Sequence, residues 1–205
     1  MELAGPEAIS GTPPPPGWVR LALLFYGAMT LAAWAFRRLW QGQALLFASP
    51  EAAADGIHWV ADPIAGLAVA ALSILLSREF TRRSRSGERL ARSLAAALGP
   101  LELRHCLVLA AASGVGEEAL FRGALQPSLG LLGASLVFGL AHLVPRRGLW
   151  PWSVFAFAGG LALGGLFHAT GNLVAPMVAH GVLNAVNLRL LVRDYGASGA
   201  SPPPR

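Results

Sequence analysis

The stretch that decides the fold reads LRHCLVLAAASGVGEEALFRGAL and runs from Leu103 to Leu125. It is long enough to cross a bilayer core of roughly 30 Å as a helix, because that distance takes about 20 helical residues. Within this apolar run lie two acids, Glu117 and Glu118, and one base, Arg122. A charged side chain near the bilayer centre costs at least about 2.5–3.5 kcal/mol. Charges in such a run therefore indicate a functional site.

The composition of the whole chain also indicates a membrane protein. Of its 205 residues, 54% are hydrophobic and only 13% are charged, and the mean hydropathy is +0.52. A soluble domain carries roughly 25% charged residues. These values argue against an ordinary soluble domain and a disordered chain. The single cysteine, Cys106, excludes an internal disulfide scaffold.

The apolar runs predict an all-α fold, a polytopic membrane bundle of about six transmembrane helices. The predicted spans are 18–40, 57–77, 103–125, 129–144, 149–169 and 173–192. A single transmembrane domain is expected over 18–197, between a Pro-rich tail at 1–17 and a second tail at 198–205, both interpreted as disordered. A cleavable signal ending at Ala33-Trp34-Ala35 is the less favoured interpretation of the first span, because no basic segment precedes it.

The basic residues predict the orientation. All 16 are arginines, and the connection from Arg78 to Arg104 is rich in them. If that connection is cytoplasmic, both termini are cytoplasmic too, and only Arg37 and Arg38 lie outside. We therefore expect an integral protein of the bacterial cytoplasmic membrane. The arginines need only anionic lipid headgroups as partners, so no nucleic acid is expected. Within the connection, residues 88–98 form either an amphipathic surface helix or a solvated loop.

The charges of the third run differ in their possible partners. Glu118 and Arg122 are four residues apart and can pair on one helix face. Glu117 is turned about 100° from Glu118 and has no cation at the matching spacing. A carboxylate left without a cation suits a general base. The alternative is that both acids lie in water at a helix end, loosened by the segment from Ser113 to Gly116.

Two later runs carry further polar residues. His142 follows Phe138 near the end of the fourth run. In the last run, His180 and Asn184 share a helix face with Asn187, for which interhelical packing is the preferred interpretation. Two histidines and a glutamate are an acceptable zinc set, although no H-E-x-x-H motif is present. The same residues can instead activate water and stabilise an oxyanion. The residues alone leave both chemistries open.

Taken in order, E-E-x-x-x-R at 117–122, F-x-x-x-H at 138–142 and H-x-x-x-N at 180–184 resemble the signature of the CPBP family, named for CAAX proteases and bacteriocin-processing enzymes. The resemblance covers about residues 100–192. It implies an intramembrane glutamic endopeptidase, similar to type II CAAX prenyl proteases, that uses no metal or other cofactor. By motif position it implies Glu117 as the catalytic acid and base, with His142 helping to activate water. It assigns oxyanion binding to His180 and Asn184. Residues implied to support the site are Glu118, Arg122 and Phe138.

The resemblance also implies the class of partner, a membrane-associated protein or peptide substrate within the lipid bilayer. The short, all-arginine chain disfavours a prenylated CAAX substrate and is compatible with processing of C-terminal sorting signals, as in the myxosortase subtype. The oligomeric state is not predicted. Three alternatives stay open: a non-catalytic immunity or scaffold protein on the same fold, a zinc-dependent protease using the same residues and, less favoured, a proton-coupled transporter.

Overall fold

The computed structural model describes residues 17–144 and 149–196, and these residues form helices without any β-strand. The helices are α1 (Trp18–Ala35), α2 (Pro50–Asp55), α3 (Ala61–Arg83), α4 (Arg85–Leu98), α5 (Leu103–Glu118), α6 (Gln126–Ala141), α7 (Trp150–Thr170) and α8 (Val174–Tyr195). Two π-helical turns continue α1 over Phe36–Trp40 and join α5 to α6 over Ala119–Leu125. The predicted all-α class is confirmed. The predicted tails lie outside the described residues, except for Gly17.

The longest helices have the length and surface of membrane spans. Segments long and apolar enough to cross a bilayer are Trp18–Trp40, Ala61–Arg83, Leu103–Ala141, Trp150–Thr170 and Val174–Tyr195. Large apolar side chains are exposed on them, including Leu24, Leu75 and Leu132. Such a continuous apolar exterior is stable in lipid and a liability in water. The chain is a polytopic helical membrane bundle.

The third and fourth predicted spans form one segment that folds back on itself. Gly130 breaks the helix with φ 71° and ψ 171°, a conformation that glycine adopts without a steric penalty. The rings of Phe121 and Phe138 lie 4.9 Å apart, whereas a straight helix would separate these residues by roughly 25 Å. The returning arm ends at Ala141 and rises only roughly 16 Å, too little to cross the bilayer core. In the described residues, five long segments therefore replace the six predicted spans.

The connection between α3 and α5 is helical, as the first of the two interpretations proposed. The Ser84 hydroxyl caps α4 by accepting a hydrogen bond from the backbone N–H of Gly87 at 3.3 Å. The helix packs against α8 and α3. Its buried apolar residues are Leu90, Ala91 and Ala95. The alternative of a solvated loop is therefore wrong.

One end of the bundle collects the arginine-rich segments. Trp18, Leu101 and Val192 belong to one apolar cluster, which brings together the start of α1, the segment before α5 and the end of α8. We call this the arginine-rich end. The predicted segregation of arginines is present in the described residues, while Arg146 and Arg147 lie outside them. The cytoplasmic location of this end stays a prediction.

The opposite end is built from connections, and we call it the loop end. It comprises residues 36–58, the turn at 126–130 and the turn at 171–173. Phe47 forms an isolated antiparallel bridge with Asn172. The Asn172 amide also donates to the buried carboxylate of Asp62 at 2.8 Å, which ties the last turn to the start of α3. These contacts fix the point at which α8 begins.

Candidate active site

Small residues bring α5 into contact with two neighbours just before its acids. A Cβ added at Gly114 would lie 3.0 Å from the backbone nitrogen of Gly181 on α8. One added at Gly116 would lie 2.9 Å from the carbonyl oxygen of Tyr26 on α1. Membrane helices use such small residues to let backbones approach closely. The glycines that suggested a loosened helix therefore pack the helix that carries the acids.

Both acids are enclosed by this packing. Glu117 is 7% exposed and Glu118 is 0% exposed. The helix continues through them into a π-helical turn, a feature that is frequent at functional sites. The alternative that both acids lie in water at a helix end is therefore wrong.

Glu118 and Arg122 form the predicted ion pair. Arg122 Nη1 donates to Glu118 Oε1 at 2.9 Å, and the Arg122 side chain is 1% exposed. Its Nη2 donates to the carbonyl oxygen of Gly160 on α7 at 3.2 Å. Its guanidinium carbon lies 4.5 Å above the centre of the Phe138 ring. Arg122 thus links the π turn to α6 and α7 around one buried charge pair.

His180 completes this buried group from α8. Its Nδ1 lies 2.6 Å from Glu118 Oε1. Because an ionised carboxylate only accepts hydrogen bonds, the pairing assigns the proton to Nδ1. The opposite ring nitrogen, Nε2, lies 3.8 Å from Glu117 Oε2. Glu118 therefore orients the imidazole that faces Glu117.

His142 approaches the same carboxylate from the end of α6. Its Nδ1 lies 2.8 Å from the carbonyl oxygen of Phe138, and this pairing again assigns the proton to Nδ1. The ring packs against Phe138 at 4.4 Å and against Trp152 at 5.7 Å between centroids. Its Nε2 lies 3.7 Å from Glu117 Oε2. The aromatic neighbours hold this imidazole in place.

Three acceptor atoms therefore converge. Glu117 Oε2 is buried without a hydrogen-bond partner among the described residues, and the two Nε2 atoms lie too far from it for direct hydrogen bonds. With both Nδ1 atoms protonated, the Nε2 atoms of His142 and His180 carry lone pairs. A gap bounded by three acceptors suits a proton donor or a cation.

Asn184 lies beside this gap rather than on it. Its Nδ2 donates to the Ser113 hydroxyl at 2.9 Å, one turn before Glu117. It stands one turn after His180 on α8, and the second N–H of its amide has no partner among the described contacts. Asn187 accepts from the Ser77 hydroxyl at 3.4 Å, which joins α8 to α3 as interhelical packing does.

The sequence patterns missed Tyr26, Trp152 and Ser113. Tyr26 lies on α1, and its side chain interacts with the Glu117 carboxylate. A tyrosine within an apolar run, away from the interfaces where tyrosine is enriched, was the available signal. No spacing rule connects it to Glu117, because the two residues lie on different helices. In the described residues, no group of three or more His, Cys, Asp or Glu side chains has metal-site geometry.

Comparison with known proteins finds a family match for the part of the chain that carries Glu117, His142 and His180. Residues 99–186 match the family model described as Type II CAAX prenyl endopeptidase Rce1-like. This segment is Rce1-like. It contains the three motifs, so the resemblance to type II CAAX prenyl proteases is confirmed. The Rce1-like segment runs from just before α5 into α8, and α1 and α3 lie outside it.

One curated relative matches part of the chain. The uncharacterized protein YpbD of Bacillus subtilis (strain 168) is 39% identical over 84 residues, which is 40% of this chain and 43% of that protein. The match therefore spans less than half the length of either protein. No solved structure matches the chain.

Proposed function

We propose that this protein is an intramembrane endopeptidase that hydrolyses a peptide bond of a membrane-associated protein or peptide. The observation that carries the proposal is the gap between Glu117 Oε2 and the Nε2 atoms of His142 and His180, at 3.7 and 3.8 Å. A water molecule in this gap donates hydrogen bonds to two of the three acceptors, and its oxygen is left to attack. The Rce1-like segment supports peptidase chemistry as the family expectation.

Glu117 acts as the general base in this scheme. It accepts one proton from the water while the oxygen bonds to the carbonyl carbon of the substrate, and His142 Nε2 orients the same water. The tetrahedral intermediate then breaks its carbon–nitrogen bond as Glu117 returns the proton to the leaving amine. The products are a carboxylic acid and an amine, and Glu117 ends the cycle as it began.

The developing oxyanion needs donors, which α8 supplies. His180 takes up a second proton from the solvent before the oxyanion forms and releases it after the products leave. In this state it donates from Nε2, and Glu118 at its Nδ1 stabilises the cation. The second N–H of Asn184, one turn away, is the other donor. Because Glu117 is protonated at this stage, the Glu118 carboxylate and the oxyanion balance the Arg122 guanidinium and the His180 imidazolium, which limits the cost of burying these charges.

The substrate class follows from where the gap lies. Glu117 stands roughly 21 Å from Leu103, along a helical segment that continues past α5 through the π turn. Together, α5 and the π turn are long enough to span the bilayer. A peptide bond reaches it only when its chain enters the bundle. A lipid-associated peptide or a C-terminal sorting helix satisfies this requirement. We place the enzyme in the bacterial cytoplasmic membrane, with the arginine-rich end in the cytoplasm.

The experiment compares the membrane and surface proteins of cells that carry wild-type protein, Glu117→Gln or the exposed control Glu102→Gln. Mass spectrometry of protein termini should find uncleaved ends only with Glu117→Gln, because glutamine cannot accept the proton. The Glu102→Gln cells should match the wild type, since the exposed Glu102 side chain pairs with exposed Arg104 at the start of α5. Full cleavage by Glu117→Gln contradicts the proposal. Restoration of the cellular function by Glu117→Gln supports the non-catalytic alternative instead.

A zinc-dependent protease with the same residues is the second candidate, and the hydrogen bonds at Nδ1 favour it. Histidines that bind metals commonly donate their other N–H to a carboxylate or a carbonyl oxygen, as His180 and His142 do here. Glu117, His142 and His180 are residue types that zinc accepts as ligands, although no group in the described residues has metal-site geometry. Activity that survives strong chelation, with no zinc in the purified protein, excludes this candidate. Loss and zinc-specific recovery of activity supports it.

A further inference from the structure

A second buried charge lies at the loop end, away from the candidate active site. Arg37 is on the π-helical turn after α1 and is 2% exposed. Its Nη1 donates to Gln41 Oε1 at 2.8 Å. Its Nη2 donates to the carbonyl oxygens of Phe47 and Ala48 at 2.8 and 3.0 Å. All of these acceptors are neutral, so they fix the guanidinium without balancing its charge.

The charge of Arg37 has no counter-ion among the described residues. None of their ion pairs includes it. Its Nε is buried and has no hydrogen-bond partner in the part of the chain that the structure describes. Arg122, the other fully buried arginine, has Glu118. A buried cation without a balancing charge is costly, and a guanidinium offers a planar set of donors that matches carboxylate and phosphate oxygens.

A pocket opens beside this guanidinium. Its volume is about 540 Å³, within the range of small-molecule sites. Residues that line it include Arg37, Trp40, Gln41, Gln43, Ser49 and Ser128. The Gln41 amide donates to the Ser128 hydroxyl at 2.8 Å, so one wall belongs to the turn between the arms of α6. The lining combines one cation, neutral polar groups and an aromatic ring.

The pocket also lies where anionic groups occur. Trp40 closes the first membrane span and is 83% exposed, as expected of an aromatic residue at the membrane interface. Phospholipid phosphates lie at that depth, and so does the terminal carboxylate of a peptide that ends near the bilayer surface. The pocket therefore lies at a depth where anionic groups are available to pair with the positive charge of Arg37.

We propose that this pocket binds an oxyanion, either a phosphate or a carboxylate group, with Arg37 as its charge partner. Arg37 supplies the balancing charge from the wall of the pocket, and the hydroxyl groups of Ser49 and Ser128 donate hydrogen bonds to the anion. The ring of Trp40 contacts the chain that carries the anion. The proposal of this anion site does not depend on peptide cleavage. It applies whatever substrate the enzyme cleaves.

The test measures binding by the full chain in nanodiscs. The lipid probe is phosphatidylglycerol, diluted into phosphatidylcholine and counted on the protein by native mass spectrometry. The peptide probe is a short fluorescent leucine–alanine peptide with a free carboxyl end, compared with its amide in discs of phosphatidylcholine alone. Retained phosphatidylglycerol assigns the site to a headgroup, and preference for the free carboxyl end assigns it to a peptide terminus. If neither anionic probe binds better than its neutral counterpart, the proposal is wrong.

Variants connect the binding to the pocket. Arg37→Gln should weaken binding of the anionic probe by about tenfold to a hundredfold, the effect of losing a hydrogen-bonded charge partner. Arg38→Gln is the matched control, because Arg38 is the neighbouring exposed arginine, and it should bind like the wild type. If Arg37→Gln and Arg38→Gln lose the same amount of probe binding, the proposed site is wrong.

A third variant separates binding from the structural role of Arg37, whose bonds to Phe47 and Ala48 also hold the loop. Ser128→Leu leaves those bonds in place and fills part of the pocket. It should lower binding of the probe while the thermal unfolding temperature stays within a few degrees of the wild type. Wild-type affinity in Ser128→Leu places the anion elsewhere and overturns the proposal.

Discussion

Replacing Arg122 by leucine tests the centre of the bundle, because it leaves Glu118 as a buried charge without its guanidinium. The arginine loses its bond to Glu118 at 2.9 Å, its bond to Gly160 at 3.2 Å and its contact with the Phe138 ring. Breaking a buried pair by removing one partner costs about 3–5 kcal/mol. The same change at Arg83, whose pair with Glu79 is exposed, should cost about 0–1 kcal/mol.

The assay is reversible unfolding in mixed micelles of mild detergent and SDS, followed by helicity and tryptophan fluorescence. Besides Arg122→Leu and Arg83→Leu, it includes the single variant Glu118→Gln and the double variant Glu118→Gln with Arg122→Leu. The double variant should be more stable than Arg122→Leu alone, since it buries no unpaired charge. If Arg122→Leu costs no more than Arg83→Leu, or if the double variant loses the sum of both single effects, the buried pair is wrongly described.

Three further outcomes follow from single contacts. Gly114→Val should cost about 1–3 kcal/mol in the same unfolding assay, because its side chain meets α8, whereas Gly159→Val meets nothing within 4 Å and should stay close to neutral. Tyr26→Phe should preserve the fold and lower cleavage by roughly tenfold through loss of its hydroxyl near Glu117, and an unchanged rate would remove the residue from the site. Asn187→Ala should cost about 0.6–1.7 kcal/mol of stability and leave cleavage unchanged, while Asn184→Ala should lower cleavage in a terminus assay.

The features that were predicted correctly from sequence depend on local periodicity. The pairing of Glu118 with Arg122 follows from a spacing of four residues on one helix. The apolar runs gave the long helices because a bilayer requires both their length and their hydrophobicity. For residues 88–98 the sequence left a helix and a loop open, and the structure shows the helix.

The features that were missed depend on contacts between distant residues. Gly130 is one of 24 glycines, and its sequence neighbours do not show that it adopts a left-handed φ and reverses the chain. Because the turn was not predicted, the apolar run at 129–144 was interpreted as a full membrane span. The bond of Asn184 to Ser113 and the approach of Tyr26 to Glu117 depend on how helices are rotated against each other. Three-residue and four-residue spacings within one helix carry no information on that rotation.

The three motifs do not include all the helices that enclose the candidate active site. The Rce1-like segment supplies Glu117, His142 and His180, yet the side of α5 next to Glu117 is covered by α1 at Tyr26. The side of α8 is covered by α3, where a Cβ added at Gly66 would collide with the carbonyl oxygen of Ala175. A carboxylate inside a bilayer keeps its water only where protein separates it from lipid. The first two long helices therefore help to enclose the candidate active site, although they carry none of the motif residues.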